Sequence, residues 1–138
     1  MTDVHIFAKV VADILHPGHI RFFRAARALG TQLTVGVVGD ARVSAYKGQP
    51  PILSQAERME VIGACRWVDH VIDDAPKVID LAFMHSRGLA IYAFGAADDR
   101  ELVMKLADCS ELPDNMRAHL PYTEGISSSL LRQRLRAI

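Results

Sequence analysis

The sequence predicts an α/β protein with a five-stranded parallel sheet and helices on both faces, and three observations support this. Short runs rich in β-branched residues alternate along the chain with amphipathic segments of helical spacing. These runs lack a regular alternation of apolar and polar residues, which is typical of strands covered on both faces. Half of the 138 residues are hydrophobic, so the chain can bury a core. The length fits a single domain, 1–138, which is either a whole protein or one part of a larger fusion.

In the first half of the chain, the patterns predict two strands, at 4–12 and 33–38. Between them, apolar residues recur at helical spacing over 18–29, and Gly30 ends that helix. A polar segment at 39–53, punctuated by glycine and proline, reads as a loop. The capping box Ser54-Gln-Ala-Glu57 then opens the next helix.

The second half predicts three further strands and three further helices. The strands are expected at 68–72, 89–94 and 109–112, and the helices from Pro76 to near Gly88, over 99–107, and from near Ser127 to the end. Because ligands of such sheets bind beyond the carboxyl ends of the strands, the loops at 10–19, 39–53, 94–99 and 121–128 are where a site is expected.

Charge and cysteine usage exclude several classes of protein. Lys plus Arg and Asp plus Glu both number 16, so the net charge is zero, which argues against a nucleic-acid or anionic-membrane binder. No apolar run is long enough to span a bilayer, and the first residues lack the basic region of a signal peptide. Cys65 and Cys109 form no Cys-x-x-Cys pair and are expected to be reduced thiols of a cytoplasmic protein.

The segment His16-Pro-Gly-His19 lies where the first strand passes into the first helix. Backbone amides at a helix start bind anions, and two imidazoles beside them suit a polyphosphate. Two other interpretations remain open from these four residues, a capping pair of surface histidines and a metal pair. A zinc site needs at least three protein ligands, and the sequence offers no third residue at a matching spacing.

Three further stretches resemble a known family. They are Lys47-Gly-Gln-Pro50, the segment 65–72 that contains Arg-Trp-Val-Asp, and Tyr-Thr-Glu-Gly-Ile-Ser-Ser-Ser at 122–129. With His-Pro-Gly-His they resemble the cytidylyltransferase family of nucleotidyltransferases along nearly the whole chain. The similarity is to the ethanolamine-phosphate, choline-phosphate and glycerol-phosphate cytidylyltransferases and to the cytidylyltransferase domains of phosphonate biosynthesis.

This resemblance implies a Rossmann-like nucleotidyltransferase fold with strand order 3-2-1-4-5. The implied reaction is transfer of CMP from CTP to the phosphate or phosphonate of a small alcohol, with release of pyrophosphate. Magnesium would be held mainly by the triphosphate, and the segment 66–69 would contribute to a homodimer. An adenylyltransferase on the same scaffold, or a nucleotide-binding module weakened in catalysis, are the alternatives.

The resemblance also assigns roles to individual residues. His16 and His19 would hold the triphosphate and stabilise the transition state, and Lys47 would bridge the α-phosphate and the acceptor's phosphate. The nucleotide would be bound by Val11, Ala12, Asp13, Gly18, Phe94, Gly95, Tyr122, Thr123, Gly125, Ile126, Ser127 and Ser128.

The chain departs from the family pattern at three places. Val-Val-Ala-Asp at 10–13 replaces Gly-Thr-Phe-Asp, Tyr122 replaces an arginine, and Gly-Ala-Ala-Asp at 95–98 replaces Gly-Asp-Asp or Gly-Asn-Asp. These changes are expected to affect the specificity for the nucleotide base and the turnover rate more than the fold.

Several residues outside these motifs receive structural interpretations. Lys9 reads as a solvated lysine at a strand end, or as a replacement for the missing arginine, and Trp67 as a core or interface residue. Arg58, Arg66 and Asp69 are expected to form an ion-pair or dimer-contact set. The arginines of the last helix are expected to be solvated; they are Arg132, Arg134 and Arg136.

Overall fold

A computed structural model describes residues 2–138. Five strands alternate with six α-helices, and a short 3-10 helix at Asp114–Met116 precedes the last strand. The strands are β1 (His5–Val10), β2 (Gln32–Val37), β3 (His70–Ile72), β4 (Ile91–Phe94) and β5 (Arg117–His119). The helices are α1 (Pro17–Arg27), α2 (Asp40–Lys47), α3 (Gln55–Gly63), α4 (Leu81–Ser86), α5 (Asp99–Asp108) and α6 (Ser128–Arg136).

The sheet has the order β3-β2-β1-β4-β5, and every pairing is parallel. The predicted fold class and strand order are therefore confirmed. In register, Ala8 of β1 lies beside Val35 of β2 on one side and Ala93 of β4 on the other. The order reverses direction at β1, so the loops that follow β1 and β4 open a crevice between them.

Both faces of the sheet are buried, as the lack of alternation predicts. Ile6 and Ala8 of β1 belong to one core cluster with Phe23 of α1 and Ile62 of α3. Phe7 points to the opposite face and packs in a second cluster, whose other helical members include Met84 of α4. Helices thus cover both faces, and no helix within residues 2–138 is long and apolar enough to cross a membrane.

The expected loop at 39–53 is wrong in its first half, where the chain forms α2. Only Val43 of this helix is buried, so it has no apolar stripe from which to be recognised. Gly48, with φ of 76°, ends it in the left-handed conformation that glycine adopts without strain.

Two elements of the second half were also misplaced. The helix expected from Pro76 begins at Leu81, because Asp80 caps it by accepting from the Phe83 amide at 2.8 Å. The fifth strand is not 109–112, where Cys109 and Leu112 are core residues of a turn. It is β5, whose Arg-Ala-His sequence has no β-branched residue and carries little strand signal.

Strand bounds differ from the expected ones by a few residues. The first strand ends at Val10 rather than at position 12, because Ala12 turns the chain with a positive φ of 49°. The predicted capping box at Ser54 is confirmed, since Ser54 and Glu57 bond reciprocally to each other's amides.

Candidate active site

The turn from β1 into α1 carries the two histidines in a reciprocal cap. His16 is the N-cap of α1, and its Nδ1 accepts from the Gly18 amide at 3.0 Å. Nδ1 of His19 accepts from the His16 amide at 3.2 Å, so each ring satisfies a backbone donor. The rings lie 3.9 Å apart between centroids. The capping interpretation is thus realised, and it places both imidazoles at an anion-binding helix start.

This cap fixes the protonation of both rings. A neutral imidazole accepts at one nitrogen and donates at the other, so Nδ1 acceptance leaves the proton on Nε2. Burial lowers the pKa of His19 to about 4, with the charges of His16 and Lys47 acting in the same direction. Burial also lowers the pKa of His16. At neutral pH both side chains are therefore uncharged and present Nε2–H donors.

Gly18 brings a second helix start to the same place. A Cβ at Gly18 would lie 2.7 Å from Cε1 of His16, so only glycine lets the ring fold back over the turn. The same Cβ would lie 3.6 Å from Cγ2 of Ile126, in the segment that leads into α6. Ser127 caps α6 by accepting from the Leu130 amide at 3.1 Å. The N-termini of α1 and α6 are thus neighbours, and each helix start carries backbone amides that have no partner within the helix.

Asp13 joins three segments around this edge. It is 1% exposed, and its carboxylate accepts from the amides of Ile52 and Leu53, each at 2.9 Å. It also forms an ion pair with Arg132 of α6. Burial alone would raise the pKa of Asp13, but these donors outweigh it and hold the pKa below its ordinary value. The side chain is thus occupied within the protein.

Arg58 connects loops at the same edge from inside the protein. It is fully buried, and it bonds to Asp40 at 2.6 Å, to the Val11 carbonyl at 2.9 Å and to the Leu53 carbonyl at 3.2 Å. These contacts connect the end of β1, the start of α2 and the loop before α3. They hold in place the start of α2, the helix that ends at Lys47.

Lys47 is the last residue of α2 and lies on the exposed surface. The charge of Lys47 is among the causes that lower the pKa of His19. Partial desolvation, followed by the charge of Arg132, lowers the pKa of Lys47. His16 and His19 are in direct contact, and the catalytic role assigned to Lys47 beside them stays a prediction.

The remaining predicted site residues differ in how far they are buried. Phe94 is 3% exposed and stacks on His119 at 5.5 Å, so its ring belongs to the core. A Cβ at Gly95 would make only ordinary contacts, and its backbone borders the crevice beyond β4. Tyr122 is half exposed, and Gly125 has φ of 81° with open space around it. Thr123 and Ser128 are partly buried, the latter as the first residue of α6.

Arg58, Arg66 and Asp69 do not form an ion-pair set with one another, and the alternative, a dimer contact, stays a prediction. Arg58 pairs with Asp40, whereas Asp69 pairs with Arg27 at 2.9 Å and accepts from the Leu33 amide at 2.7 Å. The guanidinium of Arg66 lies 5.9 Å from the Trp67 ring. Trp67 itself packs, partly buried, against the core.

Two cations expected to be solvated are not. Arg132 pairs with the buried Asp13, and only 16% of its side chain is exposed. Lys9 donates to the carbonyls of Pro76 and Lys77 at 3.2 and 2.7 Å, and burial lowers its pKa to about 8. Sequence spacing could not reveal either contact, since the partners lie on distant loops.

Described residues of the site offer little to a resident metal ion. No group of three or more His, Cys, Asp or Glu within residues 2–138 could hold one. Mg²⁺ needs free oxygen ligands, and the Asp13 carboxylate is already occupied by two amides and Arg132.

Comparisons with known proteins identify the family. The family model described as cytidylyltransferase-like matches residues 11–134. An ethanolamine-phosphate cytidylyltransferase of Arabidopsis thaliana is 47% identical over 81 residues, which cover 59% of this chain and 19% of that protein. An FAD synthase of Pyrococcus abyssi is 37% identical over 115 residues, covering 83% of this chain and 73% of that protein.

A solved structure shares the fold. The lipopolysaccharide core biosynthesis protein of Thermoplasma volcanium superposes with a TM-score of 0.67 at 23% identity, covering 89% of this chain and 100% of that chain. With the family model matching most of the residues, this chain belongs to the cytidylyltransferase-like family of nucleotidyltransferases.

Proposed function

We propose that this chain transfers CMP from CTP to the phosphate or phosphonate group of a small alcohol and releases pyrophosphate. One observation carries the proposal, the meeting of two helix starts beside the Nε2–H donors of His16 and His19. Uncharged donors and backbone amides together suit a triphosphate that arrives with its own counterion.

The reaction needs no covalent intermediate. An oxygen of the acceptor's phosphate attacks the α-phosphorus and forms the new P–O bond. The bond from the α-phosphorus to the bridging oxygen breaks, and its electron pair leaves with pyrophosphate. A phosphate group is largely doubly ionised at pH 7, so its oxygen attacks without a general base. The side chains then act by positioning and by stabilising charge.

In this proposal the two imidazoles stabilise the transition state as hydrogen-bond donors. Lys47 brings the α-phosphate and the acceptor together, since an ammonium can follow two moving phosphates. Ser127, Ser128 and the amides at the start of α6 receive the β- and γ-phosphates. Magnesium enters with the triphosphate, whose oxygens supply ligands that this ion prefers.

Adenylyl transfer is the second candidate. The FAD synthase relative, an adenylyltransferase, shares 73% of its length with this chain, whereas the ethanolamine-phosphate relative shares 19%. The proposal for CTP rests on the motif at 122–129 and on the higher identity to the cytidylyltransferase over the shared part.

Thermal unfolding with nucleotides distinguishes the two. CTP with magnesium should raise the melting temperature more than ATP does, because a ligand that binds only the folded state stabilises it by mass action. Pyrophosphate release with each nucleotide, measured over a panel of small phosphate and phosphonate alcohols, is the matching activity assay. An equal or larger shift with ATP would transfer the proposal to adenylyl transfer.

The variant His16→Ala tests whether this side chain contributes to the chemical step. Removing one such donor should lower kcat by roughly 10²–10³-fold while the melting shift with CTP is reduced but retained. Unchanged turnover in this variant would place the triphosphate elsewhere.

We also propose that the chain forms a two-fold homodimer through the segment 66–69. Trp67 is partly buried and is contacted by Arg24 and Arg66, which leaves an aromatic and cationic surface there. Light scattering at micromolar concentration should give twice the mass of one chain, and a single-chain mass would refute the dimer.

A further inference from the structure

An open cavity of about 290 Å³ lies between the loop after α2 and the last helix. Gln49 and Pro50 line it and follow Lys47 by two and three positions, and Arg132, which also lines it, pairs with Asp13. The cavity therefore neighbours the residues proposed to hold the acceptor's phosphate. The residues that line it are Gln49, Pro50, Ile52, Arg132, Leu135 and Arg136.

The lining of this cavity is cationic and apolar. Ile52 and Leu135 are each 60% exposed, so two large apolar side chains face the solvent from opposite walls. Arg132 and Arg136 contribute positive charge, and Gln49 contributes an amide. Among the described residues along these walls there is no carboxylate and no aromatic ring. An ammonium group would therefore meet neither of the partners that recognise it.

The nearest buried carboxylate cannot take that role. Asp13 is 1% exposed and already accepts from two amides and from Arg132. Asp13 and Arg132 neutralise each other's charge, but the guanidinium has five N–H donors, of which Asp13 takes one on Nη2. Arg136 then leaves the cavity wall with a net positive charge, which favours an anion or a neutral group.

We infer that this cavity holds the non-reacting end of the acceptor, and that this end is neutral or anionic rather than an ammonium. The inference rests on the proposed nucleotidyl transfer and names its acceptor class. The volume of about 290 Å³ lies at the lower limit of small-ligand cavities, which begin at about 300 Å³, so only a ligand as small as a phosphate ester of a short alcohol would fit. The acceptor's phosphate lies towards Lys47 and Arg132, and its hydroxyls or carboxylate lie towards Gln49 and Arg136.

Acceptors that differ only in the group beside the phosphate test the inference. Pyrophosphate release is measured with magnesium and the nucleotide that binds, using glycerol 3-phosphate, phosphoglycolate, ethanolamine phosphate and choline phosphate. The neutral and anionic acceptors should have kcat/KM values roughly tenfold or more above those of the ammonium acceptors, as expected when one charged contact is lost. A preference for either ammonium acceptor would overturn the inference and leave nucleotidyl transfer standing.

Charge reversal at the cavity wall adds a second readout. Arg136→Glu should raise KM for phosphoglycolate by roughly tenfold and reduce its advantage over ethanolamine phosphate, with little change in nucleotide binding. Arg134→Glu is the matched control, because Arg134 is exposed on the same helix and does not line the cavity. Equal effects of the two substitutions would overturn the assignment of the cavity. Pyrophosphate release with none of the acceptors would instead overturn the proposed function, and the acceptor class with it.

Discussion

Position 18 needs a glycine because the ring of His16 folds back over the first turn of α1. The His16 ring occupies the space in which a side chain at 18 would lie, at 2.7 Å from the added Cβ. Pro17, between them, has a fixed φ suited to the first helical position and lacks the amide that would need a partner there. Each residue of His-Pro-Gly-His thus has a role in the local geometry of this turn.

Gly18→Ala should break the cap. The ring of His16 must rotate away, the Gly18 amide loses its acceptor, and the free energy of unfolding should fall by about 1 kcal/mol. The melting shift with CTP should fall with it, because the donors are no longer aligned. Urea unfolding and nucleotide titration measure both effects. Gly63→Ala, where the added Cβ makes an ordinary 3.7 Å contact at the end of α3, should keep binding and should not lower stability, because alanine favours a helix more than glycine does.

Buried His19 makes stability depend on pH. Its pKa of about 4 lies below the ordinary 6.5, so between these values the unfolded chain binds more protons. The contribution of the neutral ring is complete above pH 6.5 and is lost as the pH falls towards 4, by at most about 3 kcal/mol. In His19→Asn the amide oxygen can replace Nδ1 as acceptor without titrating. The variant should lose less stability than the wild type between pH 7 and 4.5; parallel losses in urea unfolding would contradict this.

Helix α6 is attached mainly through one ion pair. None of its residues is buried, and Leu130 and Leu135 are 39% and 60% exposed. Arg132 connects it to Asp13, and Ile126 contacts the Gly18 position just before it. An element with so little apolar burial has a low local stability. Its position over the site therefore depends on the charge of Asp13.

Arg132→Gln should loosen this helix without unfolding the sheet. Amide hydrogen exchange of residues 130–136 should become faster by roughly tenfold, since a buried carboxylate loses its charged partner. Exchange in β1 and β2 should change much less. Arg134→Gln, on the exposed face of the same helix, serves as the control. Equal protection of α6 in both variants would mean that other contacts hold the helix.

At the scale of the whole molecule, a buried cation connects the loops at the carboxyl edge of the sheet. Arg58 is fully buried and joins three loops that follow β1, precede α3 and begin α2. Asp40 neutralises it, and two carbonyls take further donors. Breaking a buried pair by removal of one partner is strongly destabilising, because the other groups remain without a partner.

Arg58→Ala should therefore lower the free energy of unfolding by about 3–5 kcal/mol. Arg66→Ala removes a surface contact with Trp67 and should change it by less than about 1 kcal/mol. Chemical denaturation of both variants makes the comparison. Similar small effects would show that the loops are held by backbone packing instead.

Three features of the protein can be predicted from its sequence alone. They are the parallel α/β class, the burial of both faces of the sheet, and the position of the His-Pro-Gly-His turn. These depend on short-range patterns: the runs of apolar residues, the capping box at Ser54 and the glycine after the first histidine. The misplaced fifth strand shows the limit of such patterns. Cys109 and Leu112 are apolar because a turn buries them, not because they pair in the sheet.

Which charged side chains form ion pairs and long-range hydrogen bonds depends on the tertiary structure. Asp13 and Arg132 are 119 positions apart, and Lys9 bonds to carbonyls 67 and 68 positions away. Such pairs arise because parallel strands bring the loops at their carboxyl ends to one edge, whatever their distance along the chain. Periodicity reports which face of an element is apolar, but it carries no information on which distant loop will lie opposite a given arginine or lysine. Sequence motifs therefore identify His16, His19 and Lys47 as candidate site residues. No local pattern indicates the contacts by which Arg58 and Arg132 hold their loops in place.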